Sequence, residues 1–429
     1  MGYLLLIIYN LLTPLLAPAY LIFFILSPRR SLLKNFFTEI KERLSVSAGT
    51  GSGPLRPGAI WLHAASVGEV TALSRLVPEL RSAFADRDIV ITTSSWAGRA
   101  QALKLSPAAR LAPLDFYPLT KRFLGNTAPC ALLLIETEIW PNMLFSAAQA
   151  GVPVFMINAR ISENTLALYR AFAPLSRVIF SGVRKVSAQS RWDADRFSRL
   201  PGLEGKVAET GNLKYDLLGE GASDLSEVSA FLKACGWENS AVLTAGSTHP
   251  LEEPVVIDAW LEAKRRSPGL KLIIAPRHAE RLSETENSLR GRSVSFSRWS
   301  AGPALGADCL LVDAMGLLRA FYAVSTICFA GGTLDDTGGH NLLEPALFSK
   351  PVLFGPNFRN ARLAGETLLG EKAGFMVKTA PEMAATIANL LNDPAQLAAA
   401  SKNAGKTLCS LKGATRKTLD ILKAGIGGR

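Results

Sequence analysis

Ala59-Ile60-Trp61-Leu62-His63-Ala64-Ala65-Ser66-Val67-Gly68-Glu69 is a short apolar run that breaks into a polar turn, after which a Ser-x-x-Glu step opens a helix. That is the strand, loop and helix of an α/β sheet. The same step recurs downstream at Asp88 to Thr92, Ala131 to Ile135, Val152 to Ile157 and Lys185 to Ser187. Runs of this kind, apolar at every position rather than at alternate ones, suit parallel strands covered on both faces. A second series begins after the polar stretch Gly219 to Ser226, with strands at Ala241 to Ala245, Lys271 to Ala275, Cys309 to Val312, Thr326 to Ala330 and Pro351 to Phe354. The reading is α/β: two doubly wound, Rossmann-like units joined near Leu217 to Ser229. Such sheets bind ligands beyond the carboxyl ends of their strands, so the loops there hold the candidates for chemistry.

At 429 residues, 48% hydrophobic and 19% charged, the chain has the means to build two cores. Its net charge of +11 suits either nucleic acid or an anionic membrane. The basic residues are scattered, aromatic residues do not interleave with them at a regular spacing, and no zinc-finger or RNA-binding signature occurs, so membrane lipid is the expected partner and nucleic acid is not. The five cysteines form no C-x-x-C pair, and Cys130 and Cys328 lie in apolar runs as small core side chains.

Tyr3 to Leu26 contains no charged residue, and as a helix it would extend about 36 Å against a hydrocarbon core of about 30 Å. Met1 to Leu26 therefore reads as a membrane anchor, either spanning or, because Pro14 and Pro18 bend helices, inserted in part. Arg29, Arg30, Lys34, Lys41 and Arg43 come after it, which places the body on the cytoplasmic side. Leu32, Leu33, Phe36, Phe37, Ile40 and Leu44 share a helical face, read equally as an interfacial helix offering Lys34, Lys41 and Arg43 to headgroups or as a helix packed on the body. Ser45 to Gly58 reads as a linker, and a chain beginning near Gly58 is expected to keep its chemistry. The expected division is thus 1–26, 27–58, 59–218, 219–405 and a C-terminal helix over 406–429, with Lys402 to Lys423 helical.

Glu69 is open to two readings. Ser66-x-x-Glu69 has capping-box spacing, and a carboxylate at a helix start is stabilised as the anion, which weakens it as a base; it also stands where a general base belongs. Gly331-Gly332-Thr333-Leu334-Asp335-Asp336-Thr337-Gly338-Gly339-His340-Asn341-Leu342-Leu343-Glu344-Pro345 reads as strand, glycine loop and helix, whose free amides would attract a phosphate, while Asn341-x-x-Glu344 is a cap or a ribose contact. Gly246-Ser247-Thr248-His249, Pro276-Arg277-His278 and Met315-Gly316-Leu317 end neighbouring strands. Arg277 serves there as a phosphate ligand or in an ion pair with Glu280 or Glu253. Asp86-x-Asp88 and Asp193-x-Asp195 read as solvated carboxylates rather than metal ligands.

His63 to Glu69, Glu136-Thr137-Glu138-Ile139-Trp140-Pro141-Asn142, Asn158-Ala159-Arg160, Thr210-Gly211-Asn212-Leu213-Lys214-Tyr215-Asp216, Ser247-Thr248-His249, Pro276-Arg277-His278-x-Glu280-Arg281 and Gly338-Gly339-His340-Asn341-x-Leu343-Glu344 are together highly specific. With them, nearly the whole chain resembles the 3-deoxy-D-manno-octulosonic acid (Kdo) transferases of Gram-negative lipopolysaccharide assembly. The resemblance implies the GT-B arrangement, two facing Rossmann-like domains with an N-terminal membrane-anchor helix. It implies inverting transfer of Kdo from CMP-Kdo to a lipid A precursor (lipid IVA) at the inner membrane, the catalytic domains lying on the cytoplasmic side, with no metal and no cofactor. Glu69 would be the general base, and Glu136 and Lys214 would stabilise the transition state. CMP would bind Pro276, Arg277, Met315, Gly316, Asn341, Leu342, Leu343 and Glu344. Leu317 stands where the family usually has Glu, so contact there is expected through the backbone only. Another sugar-nucleotide enzyme of the same fold, or an inactive nucleotide- or lipid-binding scaffold, is the alternative.

Overall fold

The computed structural model describes residues 1–26, 36–45, 55–219 and 225–426. The chain divides into two compact units, Met1–Leu217 with Lys412–Arg429, and Leu218–Leu411. The first unit holds a parallel sheet of β1 (Ile60–His63), β2 (Ile89–Thr93), β3 (Arg110–Leu111), β4 (Ala131–Ile135), β5 (Val154–Ala159), β6 (Val183–Ala188) and β7 (Val207–Glu209) in the order β3-β2-β1-β4-β5-β6-β7. Alternate residues go to opposite cores. Trp61, Leu132, Leu134 and Met156 pack on one face, and Ile60, Leu62, Leu133, Ile135 and Ile157 on the other. Both faces being covered is the physical reason these strands are apolar throughout.

The second unit repeats the plan with β8 (Val242–Thr248), β9 (Lys271–Pro276), β10 (Phe296–Arg298), β11 (Cys309–Leu311), β12 (Ile327–Ala330), β13 (Val352–Phe354) and β14 (Gly374–Met376), ordered β10-β11-β9-β8-β12-β13-β14. The strands read from the sequence are the inner ones of both sheets. β3, β7, β10 and β14, which that reading lacks, are the outermost. All five cysteines are free. Cys328 is fully buried, and burial pushes its thiol up to about 12. Cys130, expected in the core, stands half-buried just before β4.

The first helix, α1 (Gly2–Leu26), runs through both prolines, and among the described residues no helix is long and apolar enough to cross a membrane. Its opening turns do not stand free. Tyr9 Oη donates to Asp115 Oδ2 at 2.9 Å, Asn10 Nδ2 donates to Asn142 Oδ1 at 2.8 Å, and the Tyr117 N–H reaches Asn10 Oδ1 at 3.2 Å. A Cβ on Gly2 would lie 2.2 Å from the Pro174 carbonyl oxygen, so α1 meets the Ala173–Ile179 helix at a distance that only glycine permits. Tyr3, Leu4, Ile7, Ile8, Leu11 and Leu12 are left exposed on the other side.

Of the two readings of the next helix, α2 (Phe36–Arg43), the described side chains show packing on the body. Glu39 is buried and accepts from Trp96 Nε1 and Arg43 Nε, both at 2.8 Å, while Glu42 takes both Arg99 nitrogens and the Leu111 N–H. Arg43, expected to face headgroups, also donates to the Ser94 carbonyl. Arg29, Arg30, Leu32, Leu33, Lys34 and residues 46–54 of the expected linker lie outside the described residues, as do the side chains of Phe36 and Phe37. The expectation for a chain beginning near Gly58 changes accordingly, because it would strip α1 and α2 from a unit bonded to them. Deleting residues 1–13 takes one hydrogen bond from the buried Asp115 carboxylate. It should lower the stability of the first unit by about 2 kcal/mol or more, seen as a reduced melting temperature in scanning calorimetry; an unchanged one would make the docking dispensable.

At the other end, the helix expected over Lys402 to Lys423 is two helices, Pro394–Leu411 and Ala414–Ile426. Buried Asp216 separates them by accepting the N–H groups of Gly413 and Thr415, both at 2.6 Å. Leu419, Leu422 and Ile426 then complete the core beneath Ile60 and Leu62.

Candidate active site

In the first sheet the strand order reverses between β1 and β4; the first turn of the helix after β1 carries Glu69, and the loop leaving β4 carries Glu136 and Glu138. A reversal opens a crevice because the two connections leave toward opposite faces. Ser66 caps the helix α3 (Val67–Ala72), its Oγ accepting the Glu69 N–H at 3.3 Å and donating to Glu69 Oε1 at 3.0 Å, while Glu69 Oε2 accepts the Ala65 N–H at 2.7 Å. The cap is real. The stabilisation of the anion expected at a helix start is present but outweighed: burial pushes the Glu69 carboxyl up, nearby Glu138 adds to this, and the Ala65 amide and Ser66 hydroxyl offset only part. Glu69 therefore combines the role of a cap with a proton affinity above that of an ordinary carboxylate, which favours work as a base.

Glu136 is buried in the left-handed region at φ 59 and is held between two cations, Lys214 Nζ at 2.7 Å and Arg160 Nε at 3.0 Å. Lys214 is carried in by Asn212, whose side chain accepts the Lys214 N–H, and by buried Asn158, whose Oδ1 accepts the Leu213 N–H. Beside them His63 Nδ1 shares a 3.0 Å hydrogen bond with Thr92 Oγ1, and His63 Nε2 lies 3.4 Å from Glu138 Oε2. Burial alone would raise Glu138, but His63 and the Trp140 indole N–H outweigh it and hold that carboxyl low. One carboxylate is thus kept charged while its neighbour Glu69 is pushed toward protonation.

In the second sheet the order reverses between β8 and β12. The nucleotide candidates sit at the ends of four adjacent strands, β11, β9, β8 and β12. The glycine loop after β12 departs from expectation in two ways. Three of its first amides are occupied: fully buried Glu252 accepts the N–H groups of Gly332 at 2.7 Å, Thr333 at 2.8 Å and Leu334 at 2.9 Å, and that of His249 at 3.0 Å. The loop also leads into a 3-10 turn, Pro345–Phe348, so no α-helix N-terminus faces a ligand there.

Asn341 Nδ2 donates to Glu344 Oε1 at 3.3 Å, and burial pushes the Glu344 carboxyl up against the pull of Asn341, Arg319 and Arg277. Arg277 is exposed at the end of β9, and no ion pair with Glu280 or Glu253 forms; His278 faces Glu280 and Thr285 bonds Glu253. Leu342 and Leu343 are buried, so they offer a ligand their backbone alone. Met315 is exposed, Gly316 lies at φ 85, and Leu317 packs on the core with Phe321 and Val312. Two residues escaped the reading of the sequence. One is Glu252, at the start of the helix Glu252–Arg266, and the other is Arg319, whose Nε is buried without a hydrogen-bond partner inside the short helix Leu318–Val324. In the first unit, Asp88 pairs with Arg56 and Asp193 accepts from Ile161 and Ser190, which accounts for carboxylates of both Asp-x-Asp pairs.

Residues 38–217 match a family described as 3-Deoxy-D-manno-octulosonic-acid transferase (kdotransferase). A 3-deoxy-D-manno-octulosonic acid transferase from Chlamydia muridarum is 31% identical over 383 residues, covering 88% of this chain and 87% of that protein. A bifunctional glycosyltransferase/methyltransferase from Fusobacterium nucleatum is 30% identical over 343 residues; the match covers 78% of this chain but 53% of that longer protein. Among solved structures, a glycosyltransferase from Rickettsia africae shares the fold with a TM-score of 0.61 at 12% identity, covering 87% of this chain and 100% of that one.

Proposed function

The chain belongs to the 3-deoxy-D-manno-octulosonic acid transferase family, and on that premise we propose that it is an inverting glycosyltransferase moving Kdo from CMP-Kdo to a lipid A precursor, lipid IVA, with release of CMP. The observation that carries this reading is Glu69 at the reversal of the first sheet, a carboxylate with raised proton affinity beside the Glu136–Lys214 pair.

A hydroxyl of the acceptor attacks the anomeric carbon of Kdo, Glu69 takes the hydroxyl proton, and the bond to the phosphate oxygen breaks as the new one forms. One displacement inverts the configuration. Lys214 and Arg160 place positive charge near the reacting groups, and Glu136 fixes the lysine so that little reorganisation is left for the transition state. In the second unit, Pro276, Arg277, Met315, Gly316, Asn341 and Glu344 hold the CMP moiety, with Leu317, Leu342 and Leu343 contributing backbone. The exposed apolar side of α1 supports anchoring at the cytoplasmic face of the inner membrane, where the anionic surface attracts a chain of net charge +11.

The test is the full-length protein with CMP-Kdo and a lipid A precursor. Equal amounts of CMP and Kdo-lipid of opposite anomeric configuration are expected. CMP release without a Kdo-lipid product would overturn the assignment.

A further inference from the structure

Glu252 takes the Gly332, Thr333 and Leu334 amides at the start of the loop after β12, so these three are not open to an arriving phosphate. That strand end offers imidazoles. His249 Nε2 and His340 Nε2 stand 2.9 Å apart, and His278 lies edge-on to His249 with ring centroids 5.8 Å apart, so three of the chain's four histidines meet here. Gly332 makes room for them. At φ 71 any Cβ would sit 2.9 Å from His340 Cδ2.

At 2.9 Å one Nε2 must carry a proton and the other a lone pair. His249 Nδ1 lies 3.3 Å from Asp335 Oδ2 and 3.4 Å from Thr337 Oγ1. Asp335 favours a proton on that Nδ1, which leaves the lone pair on His249 Nε2 and makes His340 the donor. The resting pair thus satisfies itself, with its single shared hydrogen turned inward.

We propose that His249 and His340, with Arg277, form the phosphate-binding element of the donor site, and that the pair takes up one proton as the nucleotide phosphate binds. Both Nε2–H groups then turn from each other to phosphate oxygens. When the sugar–oxygen bond breaks, its electron pair stays on the phosphate, which gains one negative charge opposite the imidazolium; the extra proton leaves with CMP or returns to solvent. Asp335 favours the added proton, whereas burial, Arg277 and His278 oppose it, and Glu252 is engaged by four amides. Burial, then His249 and Arg277, hold His340 below the ordinary imidazole range, in keeping with a pair that stays neutral until an anion arrives.

The inference rests on the CMP-sugar reading above, and two probes separate them. The full-length protein is titrated calorimetrically with CMP and with cytidine, in buffers of different ionisation enthalpy and above about pH 7, where a phosphate monoester is already dianionic. CMP should bind with uptake of about one proton and weaken as pH rises beyond the imidazole range, whereas cytidine binding stays flat. His340→Asn and His249→Asn should weaken CMP by roughly tenfold or more without affecting cytidine. His340→Gln, which keeps a donor near Nε2 but does not ionise, should retain part of the affinity and lose the proton uptake. Equal weakening of both probes, or wild-type binding of CMP no tighter than cytidine, overturns the inference. Wild-type protein binding neither probe sinks the CMP-sugar reading itself.

Discussion

Glu69→Gln lowers turnover by about two to four orders of magnitude and leaves CMP inhibition as it was. The amide keeps an oxygen for the Ala65 N–H, and Ser66 still caps α3 through its own Oγ, so the helix start survives while the base is gone. The pH profile of the unmodified enzyme carries the same signature. Glu69 acts only when deprotonated, and burial and then Glu138 raise its carboxyl, so the rate should fall on the acid side at a pH above the usual carboxylate range. Steady-state kinetics across pH check both statements. Unchanged turnover in the variant would reduce Glu69 to a helix cap.

Glu252→Ala should be the most damaging single change to the second unit. It strips the acceptor from four backbone N–H groups, those of His249, Gly332, Thr333 and Leu334, around a side chain with no exposure. An unpaired buried amide is unfavourable by about 1–3 kcal/mol, so a loss of about 4 kcal/mol or more is expected, with CMP binding lost alongside it. Glu252→Gln, which still accepts but carries no charge, should fall between. Scanning calorimetry of the two variants checks the order; an alanine variant that melts with the unmodified protein would show that water replaces the carboxylate without penalty.

How much of the fold and site was legible in the sequence depends on whether each residue answers to its neighbours in the chain or to distant ones. The inner strands were readable because burial on both faces demands apolar residues at every position, as in Ala131-Leu132-Leu133-Leu134-Ile135. The outer strands Arg110–Leu111 and Phe296–Arg298 are too short and too polar to announce themselves. At Glu69 the local part, the cap, was readable; the raised proton affinity was not, because it comes from burial in the folded unit and then from Glu138, in the loop after β4, far along the chain. Glu252 was hidden for a similar reason, its partners lying about eighty positions on in the glycine loop. The docking of α1 did leave a trace, in Tyr9 and Asn10, polar side chains inside a run otherwise read as lipid-facing.

Asp216 also sets an order of events during synthesis. Its partners Gly413 and Thr415 emerge from the ribosome only after the second unit, and with them the helix that carries Leu419, Leu422 and Ile426. The second unit, continuous from Leu218 to Leu411, is made entirely within that interval. Domains fold as units while the chain grows, so the later-encoded unit is complete in sequence first and the earlier one waits for the segment from Lys412 on. A chain interrupted before Lys412 therefore lacks part of the core under β1, the strand that leads to Glu69.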